Sequence, residues 1–441
     1  MSRPSKFGTA SGVGLVISNM IGAGVFLSAG FMAQDLTPGQ ILLAWVVGAG
    51  IALCGARSYA AVATLVPRSG GEYRYLSDLL HPLVGCMAGW GSLLVGFSAP
   101  IAVDALSAGS FARTLGGPSD PRLLATGLVL VLTGLHALHL RSSKWTQNSL
   151  FAVNAALLLG FVALGLLKGH NAWPTWSPPT LHASFPWAPF MGSLFFIAFA
   201  FSGWNATIYA AEDFAEPARD VPRAMLIGCS LVAVLYLLVN WVFVANITPE
   251  RARVVFDYEA TRVTLGHVIA RDLAGEWGGR LMSVLAIVAF VSAMSAMIFA
   301  GPRLYAAMAK DGFLPQILCG AEGRPPLGSI LLQGALAILI VWTHTLQNIL
   351  QNVGAILTIF TALTAATIFK LYWTPRGRKT PPLVALGTAS VYISSALWML
   401  YFGLQGKTHL LYWIGGVLVF AIAGYLLAPR RGRVLRAAAS S

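Results

Sequence analysis

Charge is what this sequence has least of. Only 10% of its 441 residues are Asp, Glu, Lys or Arg, against about 25% in an ordinary soluble domain. A chain so poor in ionised groups could not clothe a globule in water, so a soluble enzyme is excluded. Disorder is excluded as well, because 56% of the residues are hydrophobic and disordered chains need low hydrophobicity with high charge. Cysteine is scarce: Cys54, Cys86, Cys229 and Cys319 show no CxxC spacing, which predicts free thiols, no disulfide framework and no metal site. No GxxxxGK[ST] phosphate loop occurs, which argues against ATP-driven chemistry. No nucleophile–base pair or ligand cluster stands out either, so the expectation is neither an enzyme nor a binder of metal or cofactor.

Long apolar runs are what the chain has in abundance. They fall at 9–32, 40–65, 83–112, 122–140, 147–167, 188–212, 223–246, 279–308, 327–344, 350–372, 383–403 and 411–428. A spanning helix needs about 20 apolar residues, and backbone groups in lipid must be paired internally. Runs without alternation therefore predict an all-α integral membrane protein of about twelve spans and exclude a β-barrel. The first run reads as a retained span and not as a signal peptide, since no A-x-A-like cleavage site follows it. The longest connection, 247–278, carries mixed charge and an amphipathic stretch around Ala260–Ala274.

The net charge of +13 would suggest nucleic acid in a soluble protein. In a membrane protein it reports orientation, because Lys and Arg collect in cytoplasmic loops. With the N-terminus inside, 20 of the 29 Lys and Arg residues fall on the cytoplasmic side. This predicts both termini in the cytoplasm, an even number of spans and no nucleic-acid partner. The Arg cluster at 430–436 reads as an anchor on anionic lipid, and the 13 tryptophans suit an interfacial belt.

Two of the runs are interrupted. The first holds Ile21-Gly22-Ala23-Gly24 at its middle, and the sixth holds Phe199-Ala200-Phe201-Ser202-Gly203-Trp204-Asn205. Glycine weakens a helix by about 1 kcal/mol relative to Ala, and irregular backbone survives at membrane depth only where protein or a cavity covers it. Interrupted segments at corresponding places of two halves point to a transporter binding site. Freed N–H groups of Gly22–Gly24 at a half-helix N-terminus suit a carboxylate. Freed carbonyls near Met20, Ile21 and Phe199–Ser202 suit an ammonium. The alternative is that these glycines serve close helix packing.

The strings IGAGVF at 21–26, PRSGGEY at 67–73, FSGWNA at 201–206, Glu212-Asp213 with DVPRA at 220–224, and GPRLYAAMAKDG at 301–312 jointly resemble the amino acid–polyamine–organocation (APC) permeases. The motifs run in order from residue 10 to about 330, and the twelve-run layout extends the likeness to the end. The resemblance implies a leucine-transporter-like fold: a first repeat over 9–167, an inverted second repeat over 188–372, two further helices over 383–428 and a basic cytoplasmic tail over 429–441. It implies helices 1 and 6 broken, and secondary transport of L-amino acids by alternating access. It puts the substrate carboxylate on Gly22–Gly24, its amino group on the broken backbone, and a gate near Phe201 or Trp204. Two departures stand out. The stretch Phe151–Ala156 carries no lysine where many members have one, and Ala61 stands where a glutamate is common late in the second span.

Asp104 is a lone acid deep in the third run, and intramembrane acids usually face a cavity or partner. It admits three roles: recognition of a cationic amino acid or polyamine, a proton site, or a structural carboxylate. Ser292 and Ser295 stand where sodium-coupled relatives place hydroxyl ligands, and they equally suit helix packing. Asn205 is a candidate pocket residue. His136 and His139 read as interfacial side chains, since no acidic third ligand lies nearby. The expected partners are an amino acid, membrane lipid and a coupling ion, H+ or Na+. Nothing in the sequence names an accessory subunit. A non-transporting sensor on the same fold is the second reading.

Overall fold

A computed structural model describes residues 6–138, 144–170, 172–180, 182, 184–249, 252, 257–320, 325–374, 380–405 and 408–428. These residues are helical almost throughout. An isolated parallel bridge between Phe7 and Phe214 is the extended pairing seen among them.

Helices occupy each of the twelve apolar runs. The first run gives α1 (Thr9–Met20) and α2 (Ala23–Met32). Then come α3 (Pro38–Leu65), the short amphipathic α4 (Gly71–Leu79), and α5 (Pro82–Gly91) running through a π turn at Ser92–Phe97 into α6 (Ser98–Arg113). The π turn lies just ahead of Pro100, which has no N–H to return to the carbonyl four residues back, so the ladder slips there. α7 (Pro121–Ala137), α8 (Lys144–Lys168), α9 (Trp187–Ala200), the one-turn α10 (Ala206–Tyr209) and α11 (Pro217–Ala245) follow. The order continues with α12 (Glu259–Val263), α13 (Leu265–Lys310), α14 (Leu327–Thr343), α15 (Leu346–Trp373), α16 (Leu383–Gly403) and α17 (Thr408–Leu427).

Eight of these segments, counting α1–α2 and α5–α6 as one each, are long and apolar enough to cross a membrane. Three shorter apolar helices (Pro121–Ala137, Trp187–Ala200 and Leu327–Thr343) and the apolar stretch Leu158–Lys168 of α8 accompany them. The sixth run, 188–212, stops being regular helix at Ala200, within the stretch 199–205 where the sequence puts its interruption. α13 is longer than its run because the amphipathic connection is itself helical. It is interrupted at Ala274 and Gly275, the latter at φ +67°, a left-handed conformation that glycine adopts without steric cost.

Local signals set many of the starts. Proline stands at the beginning of α3, α5, α7 and α11, where its missing N–H is not needed. Thr37 and Gln40 form a reciprocal cap on α3, and Asp120 caps α7 through the Arg122 N–H. Packing then pairs distant helices: α1 lies on α11, α2 on α9, α3 on α11, and α6 on both α7 and α13. Leu130, Val131, Leu231, Leu397 and Val419 remain exposed on the outside. An apolar exterior around a buried polar interior is what lipid as solvent requires.

Candidate functional site

The first break is buried. α1 ends at Met20 because Ile21 turns extended (ψ 93°) and Gly22 is fully extended (φ −143°, ψ −158°). α2 restarts at Ala23 with its N-terminus inside the protein, and all ten of its residues are buried. The exposed helix end finds an acceptor in Asp104 on α6, whose Oδ1 accepts from the Ala23 N–H at 2.8 Å. A Cβ on Gly22 would sit 3.1 Å from that oxygen, so glycine is what lets the carboxylate approach. Gly24 serves another purpose. Its Cβ would lie 2.5 Å from the Ala200 Cα, so its absence lets α2 pass against α9.

The second break is irregular over 201–205. Gly203 has φ +104°, and a Cβ there would meet the Asn19 carbonyl oxygen at 2.7 Å. Both constraints require glycine. The two breaks are joined by Tyr236 of α11, whose hydroxyl lies 2.5 Å from the Met20 carbonyl oxygen and 3.1 Å from that of Ala200. These are freed carbonyls of the kind the sequence offers to an ammonium. The tyrosine carries one proton and can donate to one of them at a time. Trp45, Phe201 and Tyr236 pack around this point, with ring centroids 5.2–6.3 Å apart. Trp204 stands edge-on to Tyr59 at 4.7 Å.

Beside the second break lies a cavity of ≈ 90 Å³, lined in part by Asn19, Glu72, Phe201, Ser202, Asn205 and Thr361. One water needs roughly 10–15 Å³ on this measure, so the space holds several waters or a small polar ligand. Of the candidate residues, Phe201, Ser202, Gly203, Trp204 and Asn205 line it; Ile21, Gly22, Ala23, Gly24, Phe199, Asp104, Ser292 and Ser295 do not. The structure thus divides the expected receptor into a sealed half at the first break and an open half at the second.

Glu72 is the acid of the open half. Its Oε1 accepts from Tyr59 at 2.6 Å, Asn205 at 3.3 Å and Thr361 at 3.3 Å, joining α3, the second break and α15. Burial pushes its carboxyl above the ordinary glutamate range, against the pull of those three donors. The preceding glycines put it there. Gly70 and Gly71 have φ +118° and +60°, and a Cβ on Gly71 would fall 2.2 Å from the Tyr209 ring. Next along α4, Tyr73 donates to Asp311 at 2.5 Å and Arg74 pairs with the same carboxylate at 3.6 Å. Two sequence motifs more than 200 residues apart therefore meet.

The remaining candidates lie elsewhere. Ser295 shares a hydrogen bond with His136 at 3.0 Å, and Ser292 is buried one turn away on α13. His139 and the Arg cluster at 430–436 lie outside the described residues. So do the side chains of Phe151–Asn154, which make up most of the lysine-free stretch. All four cysteines are free. The pattern gave Asn205 and Phe201 but not Glu72, although Glu72 sits inside the PRSGGEY string. It gave no sign of Tyr236, which lies in an unbroken apolar run.

The profile of the amino acid permease family matches residues 7–420. The chain belongs to that family. Membership makes this permease a transporter of amino acids in a membrane, not an enzyme. It is similar to the mouse (Mus musculus) large neutral amino acids transporter small subunit 2, 27% identical over 420 residues that cover 91% of this chain and 77% of that one. It is similar to the mouse Asc-type amino acid transporter 1, 26% identical over 420 residues, with 90% and 76% covered. The mouse b(0,+)-type amino acid transporter 1 is 24% identical over 413 residues, with 90% and 82% covered.

Proposed function

We propose that this permease moves L-amino acids by alternating access, with the substrate held between the two helix breaks. Twelve spans in a five-plus-five inverted repeat would form the carrier, with α1–α3 and α9–α11 rocking against the rest. The meeting of the breaks carries this reading. Tyr236 touches a freed carbonyl from each, and a cavity opens beside the second. Main-chain groups from α1, α2 and α9 supply donors and acceptors at one place, and side chains from α6 and the second break select what enters. Phe201 and Trp204, in the second break, line the cavity where a gate would be. The excess of Lys and Arg in alternate connections supports a cytoplasmic location for both termini.

Uptake into proteoliposomes loaded with and without internal amino acid, with sodium and proton gradients imposed separately, tests the reading. Saturable uptake of at least one L-amino acid is expected. Dependence on internal amino acid marks exchange, and dependence on one gradient names the coupling ion. Binding without flux would convert the assignment to a sensor on the same fold, and neither binding nor flux for any L-amino acid would overturn it.

A further inference from the structure

Glu72 uses its two carboxyl oxygens unequally. Oε1 accepts from Tyr59, Asn205 and Thr361, whereas Oε2 accepts from none of the described residues. The residue is 2% exposed and lines the cavity beside the second break. Among the described residues no Lys, Arg or His pairs with it. The titratable groups that face it are Tyr59 of α3, Tyr209 of α10 and Tyr392 of α16, and tyrosine is uncharged at neutral pH. On its own helix, Arg74 and Asp78 are paired with Asp311 and Arg68. Cys86 of α5 turns instead to the Ala421 carbonyl of α17.

This pattern is that of a neutral acid. Three donors converge on the oxygen that acts as its carbonyl, and the other oxygen is left to carry the proton. A metal cation suits the place poorly, since it needs several oxygen ligands and each neighbour turns a hydrogen toward the carboxyl. The donors also come from both parts of the proposed carrier. Tyr59 and Asn205 belong to the segments that rock, and Thr361 of α15 belongs to the remainder. Glu72 is therefore sealed only while the two parts close on it, and parting them admits water. Burial is the largest influence on its carboxyl, and the three donors oppose it without cancelling it. Hydration thus lowers its proton affinity even as a donor is lost. The Oε2–H bond then breaks, its electron pair stays on Oε2, and the proton passes to water.

We propose that Glu72 is a coupling-proton site of this permease, loaded when the carrier closes around its substrate and emptied when the carrier opens beside α4. This rests on the alternating-access reading above. A proton then travels with the amino acid, and a proton gradient drives its accumulation.

Uptake by the full-length protein in proteoliposomes, with the proteinogenic L-amino acids as probes, tests it. Wild-type uptake should rise when an inward proton gradient is imposed and return to its basal rate when a protonophore collapses the gradient. Glu72→Gln imitates the protonated carboxyl and cannot release its proton, so its uptake should be the same with and without the gradient. Two further variants keep Glu72 and remove a donor that favours its ionised form. Tyr59→Phe should move the pH midpoint of gradient-driven uptake upward by about one pH unit, as loss of a hydrogen bond to a charged group does. Thr361→Val should move it the same way by less, its bond being longer. Thermal melting checks that each variant is folded, and the donor variants decide the matter if Glu72→Gln is not. Exchange or uptake in the wild type without response to the gradient would overturn the proposal and leave the carrier reading intact. So would an undiminished response in Glu72→Gln, or midpoints unmoved in both donor variants. Failure of every L-amino acid to bind or cross would overturn both.

Discussion

The two helix breaks use similar glycines for different ends. At the first, Gly22 and Gly24 bring other protein atoms in: a carboxylate from α6 against one, the main chain of α9 against the other. The break is buried and paired with Asp104. At the second, Gly203 takes a left-handed turn that leaves Ser202 and Asn205 facing a cavity. Flexible sequence is therefore not by itself a cavity. What decides is whether a neighbouring side chain reaches the freed backbone groups, as Asp104 reaches the Ala23 N–H.

Changes that force the buried break open should have the largest effect. Gly24→Val puts a branched side chain into the Ala200 main chain, which cannot rotate away; about 3 kcal/mol of stability should be lost, as in severe overpacking, and uptake with it. Melting temperature and uptake in the same preparation check this, and a stable, active variant would mean that α2 and α9 do not hold this spacing. Gly203→Ala tests the break that lines the cavity. The left-handed strain of about 1–3 kcal/mol and the contact with Asn19 should lower stability less than Gly24→Val does while still reshaping the cavity, seen as weaker substrate binding in calorimetry.

The link between the breaks should be worth less again. Tyr236→Phe leaves buried carbonyl oxygens of Met20 and Ala200 without their donor, at about 1–2 kcal/mol. A substrate whose ammonium takes those carbonyls should shrink the deficit, so the variant's melting point should rise more on saturation than that of the wild type. The smallest effect is expected at Glu72, and it carries a sign. Its carboxyl holds a proton more tightly folded than unfolded. Its contribution to stability is therefore full below the unfolded value and is lost as pH rises through the folded one. Glu72→Gln should flatten that decline in melting temperature above the ordinary glutamate range. An unchanged pH profile would mean that Glu72 does not titrate there.

The helical skeleton was legible because apolar run length reports directly on spans, and each of the twelve runs holds a helix. Three of those helices are short, and the interruption inside 188–212 was legible from its glycine, though hydropathy cannot register the positive φ of Gly203. The position of the first break was readable from its glycines, but its closure was not. The sequence shows Asp104 as an isolated acid 81 residues from Ala23, and only the packing of α6 against α2 brings the two together. Glu72 was hidden for a similar reason: in sequence it belongs to a polar connection, and the left-handed turn at Gly70–Gly71 carries it into the interior. Tyr236 had no local signal at all, since a tyrosine amid apolar residues looks like ordinary core.

Accessibility of the two breaks tests the central claim most directly. In a background with the four native cysteines replaced, single cysteines at Ala23 and Ser202 would be treated with a charged thiol reagent in substrate-free proteoliposomes. The account predicts rapid labelling at Ser202, slowed by bound substrate, and none at Ala23 while Asp104 is present. Equal labelling at both positions would contradict it.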